Sequence, residues 1–336
     1  MRGRTWWKLG GVATLIAAAC GCSYRATDAE RPTGIGEASC PQLELGAEGK
    51  WRHTSSSVAA ALGTPHHGGD DILINPGSKA IVSAKFAYGS VSKDLEDEDV
   101  ELWIKRGECG HWKTVATART DDDGRVSMEA PWEHVMEQGT YPYAIVARGD
   151  HTYAEGTVFV VPKHTKVVVF DVDGTLTSGN SELIELLVLG EEPEVMPDAP
   201  SIVNKYVDAG YLPVYLTGRM YFLREGTLHW MGRKGFPRGV MYTSNEWRNT
   251  TPGRRFIGKF KTNLLRDLIE LAHVDIVHAY GNAKTDVCAY ADAGIDPSVT
   301  YIIGPYGGHT CEGHAPSQAV ASYADQLKTV EIPPVK

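Results

Sequence analysis

Apolar and polar positions follow two different rhythms along this chain, and the change falls near residue 163. Between about Asp70 and Pro162, short runs of alternating character are separated by turn residues. They are Lys79 to Tyr88, Asp99 to Lys105, Trp112 to Arg119, Arg125 to Glu129, Tyr141 to Ala147 and Thr157 to Val161. A period of two, with Asp123-Gly124 and Gly149-Asp150 at turns, predicts an all-β, immunoglobulin-like antiparallel sandwich of about seven strands over residues 70–162. From Lys163 the strands become continuous apolar runs: Val167 to Asp171, Leu212 to Leu216, Gly239 to Tyr242, Ile276 to Tyr280 and Thr300 to Ile303. Amphipathic stretches lie between them, including Ala199 to Ala209, Met220 to Arg233 and Lys261 to Ala272. Strands alternating with helices predict a doubly wound, mostly parallel α/β sheet over residues 163–330.

The first residues follow neither rhythm. Arg2, Arg4 and Lys8 precede an apolar stretch from Leu9 to Ala19 that is too short to span a bilayer, the pattern of a signal peptide over residues 1–22. Leu15-Ile-Ala-Ala-Ala-Cys20 resembles a bacterial lipoprotein lipobox, which implies lipidation at Cys20, with Cys22 as the competing position, and an exported, membrane-anchored protein in the cell envelope. Ala17 stands where the pattern carries Leu, and plain secretion is the competing reading. Residues 23–69 read as a linker, polar and without period in their first half. Export leaves Cys40, Cys109, Cys288 and Cys311 in an oxidising setting, where four cysteines allow three pairings. Cys40 with Cys109 fits within the first half, and Cys288, beside apolar residues of a predicted helix, reads as a buried free thiol.

Charge and length narrow the chemistry. The chain has 336 residues, enough for two domains, and carries 42 acidic against 33 basic side chains, a formal charge of -9. With no long basic block it excludes bulk nucleic-acid binding. The informative stretch is Phe170-Asp171-Val-Asp173-Gly-Thr175, which sets two carboxylates one residue apart where a buried strand ends. Parallel sheets place ligands at the carboxyl ends of their strands. Two acids that close repel unless a cation holds them, and Mg²⁺ takes one or two carboxylates together with phosphate oxygens and water. A carboxylate there can also attack phosphorus.

Later strand ends carry matching signals. Thr217-Gly218-Arg219 offers a hydroxyl and backbone N–H groups for a phosphoryl oxygen at a helix N-terminus. Lys259 and Lys261 open a predicted helix, where an ammonium would offset charge on a transferring phosphoryl group. Gly281-Asn282-Ala-Lys-Thr-Asp286 supplies hard oxygen ligands from Asn282 and Asp286 that would complete an octahedral Mg²⁺ site.

Asp171-Val-Asp173-Gly-Thr175, Thr217, Lys261 and Asp286 together resemble the four motifs of the haloacid dehalogenase superfamily of phosphotransferases. Phe170 to Thr177 and Gly281 to Tyr290 resemble the catalytic domain of lipins, the Mg²⁺-dependent phosphatidate phosphatases. A longer likeness runs from about Trp51 to the end. Phe86-Ala-Tyr-Gly89, Thr120-Asp-Asp-Asp-Gly-Arg125, Gly139-Thr-Tyr-Pro-Tyr143, Arg148-Gly-Asp-His-Thr152 and Phe236-Pro-Arg-Gly239 resemble the C-terminal half of the membrane-associated phosphatidylinositol-transfer proteins of the retinal-degeneration-B type. In that family the module is regarded as a phosphatidic-acid sensor and commonly holds Ser at the nucleophile position; this chain departs by carrying Asp171.

The first resemblance implies a Mg²⁺-dependent phosphomonoesterase. Asp171 would be the nucleophile and Asp173 the acid and base, with Thr217, Gly218 and Lys261 on the phosphoryl group. The metal would lie on Asp171, the Asp173 backbone carbonyl, Asp286 and Asn282. The second implies a catalytically silent lipid-binding module. A phosphatase of small soluble esters is the third option, since the motif chemistry does not choose the leaving group. About 45 residues separate the first motif from the second and the second from the third, no more than the sheet's own helices and strand require. A large cap has no room, and an open site suits a lipid phosphate at a membrane surface. The apolar cluster Leu183 to Leu189 reads as a core-facing helix, with a partial lid or a membrane-touching helix as the alternatives. His66-His-Gly-Gly-Asp-Asp71 and His309-Thr-Cys-Glu-Gly-His314 fit no standard zinc spacing.

Overall fold

The computed structural model describes residues 40–89, 92–131, 133, 137–179, 192–244 and 254–335. The signal segment with Cys20, residues 23–39 of the linker and the Leu183 to Leu189 cluster lie outside the described residues.

Among the described residues the first region holds ten strands, β1 (Gly68–Gly69), β2 (Ile72–Ile74), β3 (Ala80–Lys85), β4 (Ala87–Tyr88), β5 (Lys93–Asp94), β6 (Asp99–Ile104), β7 (Lys113–Arg119), β8 (Arg125–Ala130), β9 (Gly139–Ala147) and β10 (Tyr153–Val160). A sheet in the order β1-β3-β8 faces one in the order β2-β10-β9-β6-β7, and β4 and β5 form a separate ribbon. Val82, Leu102, Tyr143, Ile145 and Val158 fill the space between the sheets, every second residue of each strand turning inward. Two features depart from the predicted seven-stranded antiparallel sandwich. β2 pairs parallel with β10, and the region read as linker contains a helix, Thr54–Leu62, and β1.

The second region is a single parallel sheet. Strands β11 (Lys166–Asp171), β12 (Leu212–Met220), β13 (Val240–Ser244), β14 (Asp275–Gly281), β15 (Thr300–Ile303) and β16 (Gln318–Val320) run in the order β13-β12-β11-β14-β15-β16. The order reverses at β11, so the crevice where such sheets bind ligands opens above Asp171. The sequence pattern did not show β16 or the last helix, Tyr323–Thr329, since three strand residues and a seven-residue helix give too few turns of either period to read. The helix nevertheless reaches the crevice, where the Tyr323 hydroxyl donates to the Thr175 carbonyl at 3.0 Å.

The two regions share one core. Leu73 and Phe159 of the sandwich pack with Val167, Val214, Val240, Leu265 and Leu268 of the sheet domain. Above this seam the stretch His66 to Asp71 meets the segment after β12. His66 stacks on Phe222 with ring centres 5.0 Å apart. Asp71 is fully buried and accepts from the backbone N–H of Thr157 and of Met241 at 2.8 and 2.9 Å. Arg224 and Arg238 also donate to its carboxylate. A buried carboxylate is tolerated only when its lone pairs are met by donors, and here four groups from two domains meet them. The stretch is therefore a joint between domains. Among the described residues no three or more His, Cys, Asp or Glu side chains are grouped so that they could hold a metal ion.

Cys40 bonds Cys109, and Cys288 bonds Cys311. The second pair corrects the expectation of a free thiol. Cys288 lies on the helix Lys284–Asp292 and the loop after β15 folds back over that helix, a contact between distant segments that local pattern does not show. Among the described residues no helix is long and apolar enough to cross a membrane.

Candidate active site

Asp171 is the last residue of β11, the central strand, and the chain turns sharply after it. The backbone N–H groups of Leu176 and Thr177 both bond back to the Val172 carbonyl. Gly174 takes φ +82°, a conformation that side chains resist, so glycine follows the second aspartate. The Thr175 hydroxyl donates to Asp171 Oδ2 at 3.0 Å. Asp171 is thus aimed by its own loop.

Lys261 completes the pair across the crevice. Its Nζ donates to Asp171 Oδ1 and to Asp286 Oδ1, each at 2.6 Å. All three side chains are buried. Asp286 sits in the first turn of the helix Lys284–Asp292, where its Oδ2 accepts the backbone N–H groups of Asn282 and Ala283 at 3.0 Å. Gly281 makes this possible, since a Cβ there would stand 2.6 Å from that of Asp286. Lys261 lies in the second turn of the helix Arg254–Glu270, not at its opening as the pattern implied, and Lys259 is exposed. The choice between the two lysines falls to Lys261, which a helix rotates by about 200° from Lys259.

Charge at this cluster does not balance. Two carboxylates share one ammonium, which leaves net negative charge in a buried place. Burial pushes the Asp171 carboxyl up to about 7, Lys261 pulling it down and Asp286 and Asp173 adding to the rise. Burial works against the Lys261 ammonium, but Asp171 and Asp286 raise its pKa above the usual range. The donor set fits Mg²⁺, which needs only one or two carboxylates, keeps waters on its other positions, and would cancel the excess charge.

Thr217 and Gly218 lie in β12, where the pairing register with β13 shifts between Leu216 and Met220. Such an irregularity re-aims side chains at a strand end. The expected helix N-terminus lies farther on, because the strand runs to Met220 and a 3₁₀ turn, Tyr221–Leu223, leads into the helix Arg224–Arg233. Ser244 fixes the irregular segment by donating to the Gly218 and Arg219 carbonyls at 3.0 and 3.2 Å. The Thr217 hydroxyl donates to Asp173 Oδ2 at 2.6 Å. Asp173 Oδ1 accepts from Arg219 Nε at 2.9 Å and Nη2 at 2.8 Å. Sequence reasoning named Asp173 and Thr217 but assigned nothing to Arg219; its position two residues after Thr217, on the same side of an extended strand, was the available signal.

Asp171, Asp173, Thr217, Lys261 and Asp286 thus gather at the carboxyl ends of β11, β12 and β14. Asn282 is buried beside Asp286 and joins it through its backbone.

This architecture and this cluster define a sandwich joined to a haloacid-dehalogenase-like α/β domain. The comparisons make the class specific. Residues 168–304 match the LNS2 domain of PITM 1-3 proteins, and residues 65–160 match their β-sandwich domain. Human membrane-associated phosphatidylinositol transfer protein 1 is 33% identical over 257 residues, 76% of this chain and 20% of that protein. Drosophila melanogaster protein retinal degeneration B is 30% identical over 260 residues, 77% of this chain and 20% of that protein. The chain is homologous to the C-terminal part of the membrane-associated phosphatidylinositol transfer proteins and spans about a fifth of their length. Among solved structures, a putative β-phosphoglucomutase from Thermotoga maritima is 16% identical over 49% of this chain and 100% of that one, with a TM-score of 0.32. That likeness is too loose to carry weight, and the sheet order and family models stand without it.

Proposed function

We propose that this chain is a Mg²⁺-dependent phosphomonoesterase that works through an aspartyl-phosphate on phosphatidate or a related lipid phosphate at a membrane surface. The observation that carries the reading is the buried Asp171–Lys261–Asp286 cluster, short of one positive charge at the end of the central strand. Asp171 attacks phosphorus in line, Asp173 gives a proton to the leaving oxygen, and Asp173 then takes a proton from the water that opens the aspartyl-phosphate. Lys261 and the Thr217 hydroxyl hold phosphoryl oxygens, with Gly218 keeping that strand end narrow. Mg²⁺, bound by Asp171, the Asp173 carbonyl and Asp286 with Asn282 beside them, would offset the charge of the reacting oxygens.

The spacing of about 45 residues between successive motifs, which leaves no room for a large cap, and kinship with proteins named membrane-associated support a lipid substrate. The lipobox-like Cys20 and the two disulfides support an exported protein anchored at the envelope. The test is phosphate release from phosphatidate in detergent micelles with Mg²⁺. Release that disappears in Asp171→Asn upholds the reading, and its absence in the parent overturns it.

One observation favours a second reading, a phosphatidic-acid-binding module without turnover. Both carboxylate oxygens of Asp173 are already engaged, by Arg219 and Thr217. Liposome binding that rises with phosphatidate content, with no phosphate released, would select it. Hydrolysis of soluble esters alone would select the third.

A further inference from the structure

Arg219 makes more of the site than a strand end requires. It is 2% exposed, and all three guanidinium nitrogens are committed. Nε and Nη2 converge on Asp173 Oδ1, while Nη1 donates to the Thr227 hydroxyl at 2.9 Å. Thr227 is itself fixed, donating to the Leu223 carbonyl at 2.7 Å, and the Trp230 ring lies 5.8 Å from the guanidinium carbon. The two oxygens of Asp173 are therefore unlike. Oδ1 is clamped by a planar, rigidly braced cation. Among the described residues Oδ2 meets a single hydrogen-bond partner, the Thr217 hydroxyl, which is also the group placed to meet a phosphoryl oxygen.

We propose that Arg219 is the positioning residue that makes Asp173 a one-ended acid and base, presenting Oδ2 to the substrate. This rests on the phosphatase reading. When a phosphoryl oxygen takes the Thr217 hydroxyl, Oδ2 is released while Oδ1 stays clamped, so the carboxyl group is freed without losing its orientation. In the first half-reaction the bond from Asp171 to phosphorus forms as the ester P–O bond breaks, and the proton on Asp173 Oδ2 moves to the leaving oxygen. In the second, water gives a proton to Oδ2 as its oxygen bonds phosphorus and the acyl-phosphate bond breaks. Inorganic phosphate leaves, and both aspartates return to their starting states. The engagement that favours a silent module becomes, on this view, a resting arrangement that substrate undoes.

The test separates leaving groups. Measured as kcat/KM, which reports the first half-reaction, Arg219→Gln should lose about 100-fold on phosphatidate, whose alkoxide needs a proton, and under about tenfold on p-nitrophenyl phosphate, whose phenolate does not. Thr227→Val, a milder change that removes only the brace, should show the same selectivity at smaller size, and Arg219→Lys should recover part of the loss. Equal losses on both esters in the two variants, or none, overturn the proposal while leaving the phosphatase reading in place. A parent protein that releases phosphate from neither ester overturns both.

Discussion

Two buried carboxylates held by cations, Asp71 at the joint and Asp171 at the crevice, are built to opposite rules. Asp71 at the joint faces two guanidinium groups and two backbone N–H groups, and the surplus positive charge is relieved because the Arg238 side chain is 42% exposed. Asp171 at the crevice shares one lysine with a second carboxylate, and the deficit is buried on all sides. The first arrangement is complete and asks for nothing. The second is short of one positive charge when both carboxylates are ionised, and the proposed phosphatase chemistry rests on that imbalance. Buried ion pairs alone do not make the distinction, since structural networks perturb carboxylates as strongly as active sites do.

The sharpest way to break the comparison is to exchange its consequences. Asp171→Asn should abolish phosphate release, by about 10³-fold or more, with little change in thermal midpoint, because the substitution keeps volume and removes charge from a crowded acidic cluster. Loss of folding instead of loss of turnover would show that the crevice is structural. Asp71→Asn should do the reverse. Leaving Arg224 without its partner costs about 3–5 kcal/mol in denaturant unfolding, while activity per folded molecule stays within a few-fold.

Lys261→Met should lower phosphate release by about 100-fold, and Lys259→Ala should change it less than two-fold. A comparable loss for both would mean that burial does not select the lysine. The last effect concerns pH and lies at the joint. Burial, reinforced by His66, pushes His67 down to about 3, and its Nδ1 accepts the Ala87 N–H at 3.3 Å. With a folded pKa below the unfolded value, the unfolded chain binds more protons between about 6.5 and 3, so stability falls as pH drops through that window. The slope is at most about 1.4 kcal/mol per pH unit. His67→Gln should flatten the thermal midpoint against pH over that range, and an unchanged slope would place the acid sensitivity elsewhere.

Not all of this was equally legible. Asp171, Asp173, Thr217 and Asp286 could be found because each stands where an apolar strand runs out, a signal contained within a few residues. The roles of Arg219 and of the His66 to Asp71 stretch could not, because both depend on partners far along the chain. Asp71 meets Met241 across 170 positions, and nothing near Asp71 announces it. Cys288 misled for the same reason, its partner arriving on a loop that local pattern does not place.

The sequence by itself determined the two rhythms, the succession of β11 to β15 with helices between them, and the chemical types at their ends, because periodicity and turn chemistry act over one or two turns of backbone. Tertiary structure alone decided which lysine enters the crevice, that Arg219 clamps one oxygen of Asp173 while Thr217 meets the other, and that the sandwich shares a core with the sheet. Those are outcomes of desolvation and charge balance, which exist only once distant segments exclude water together.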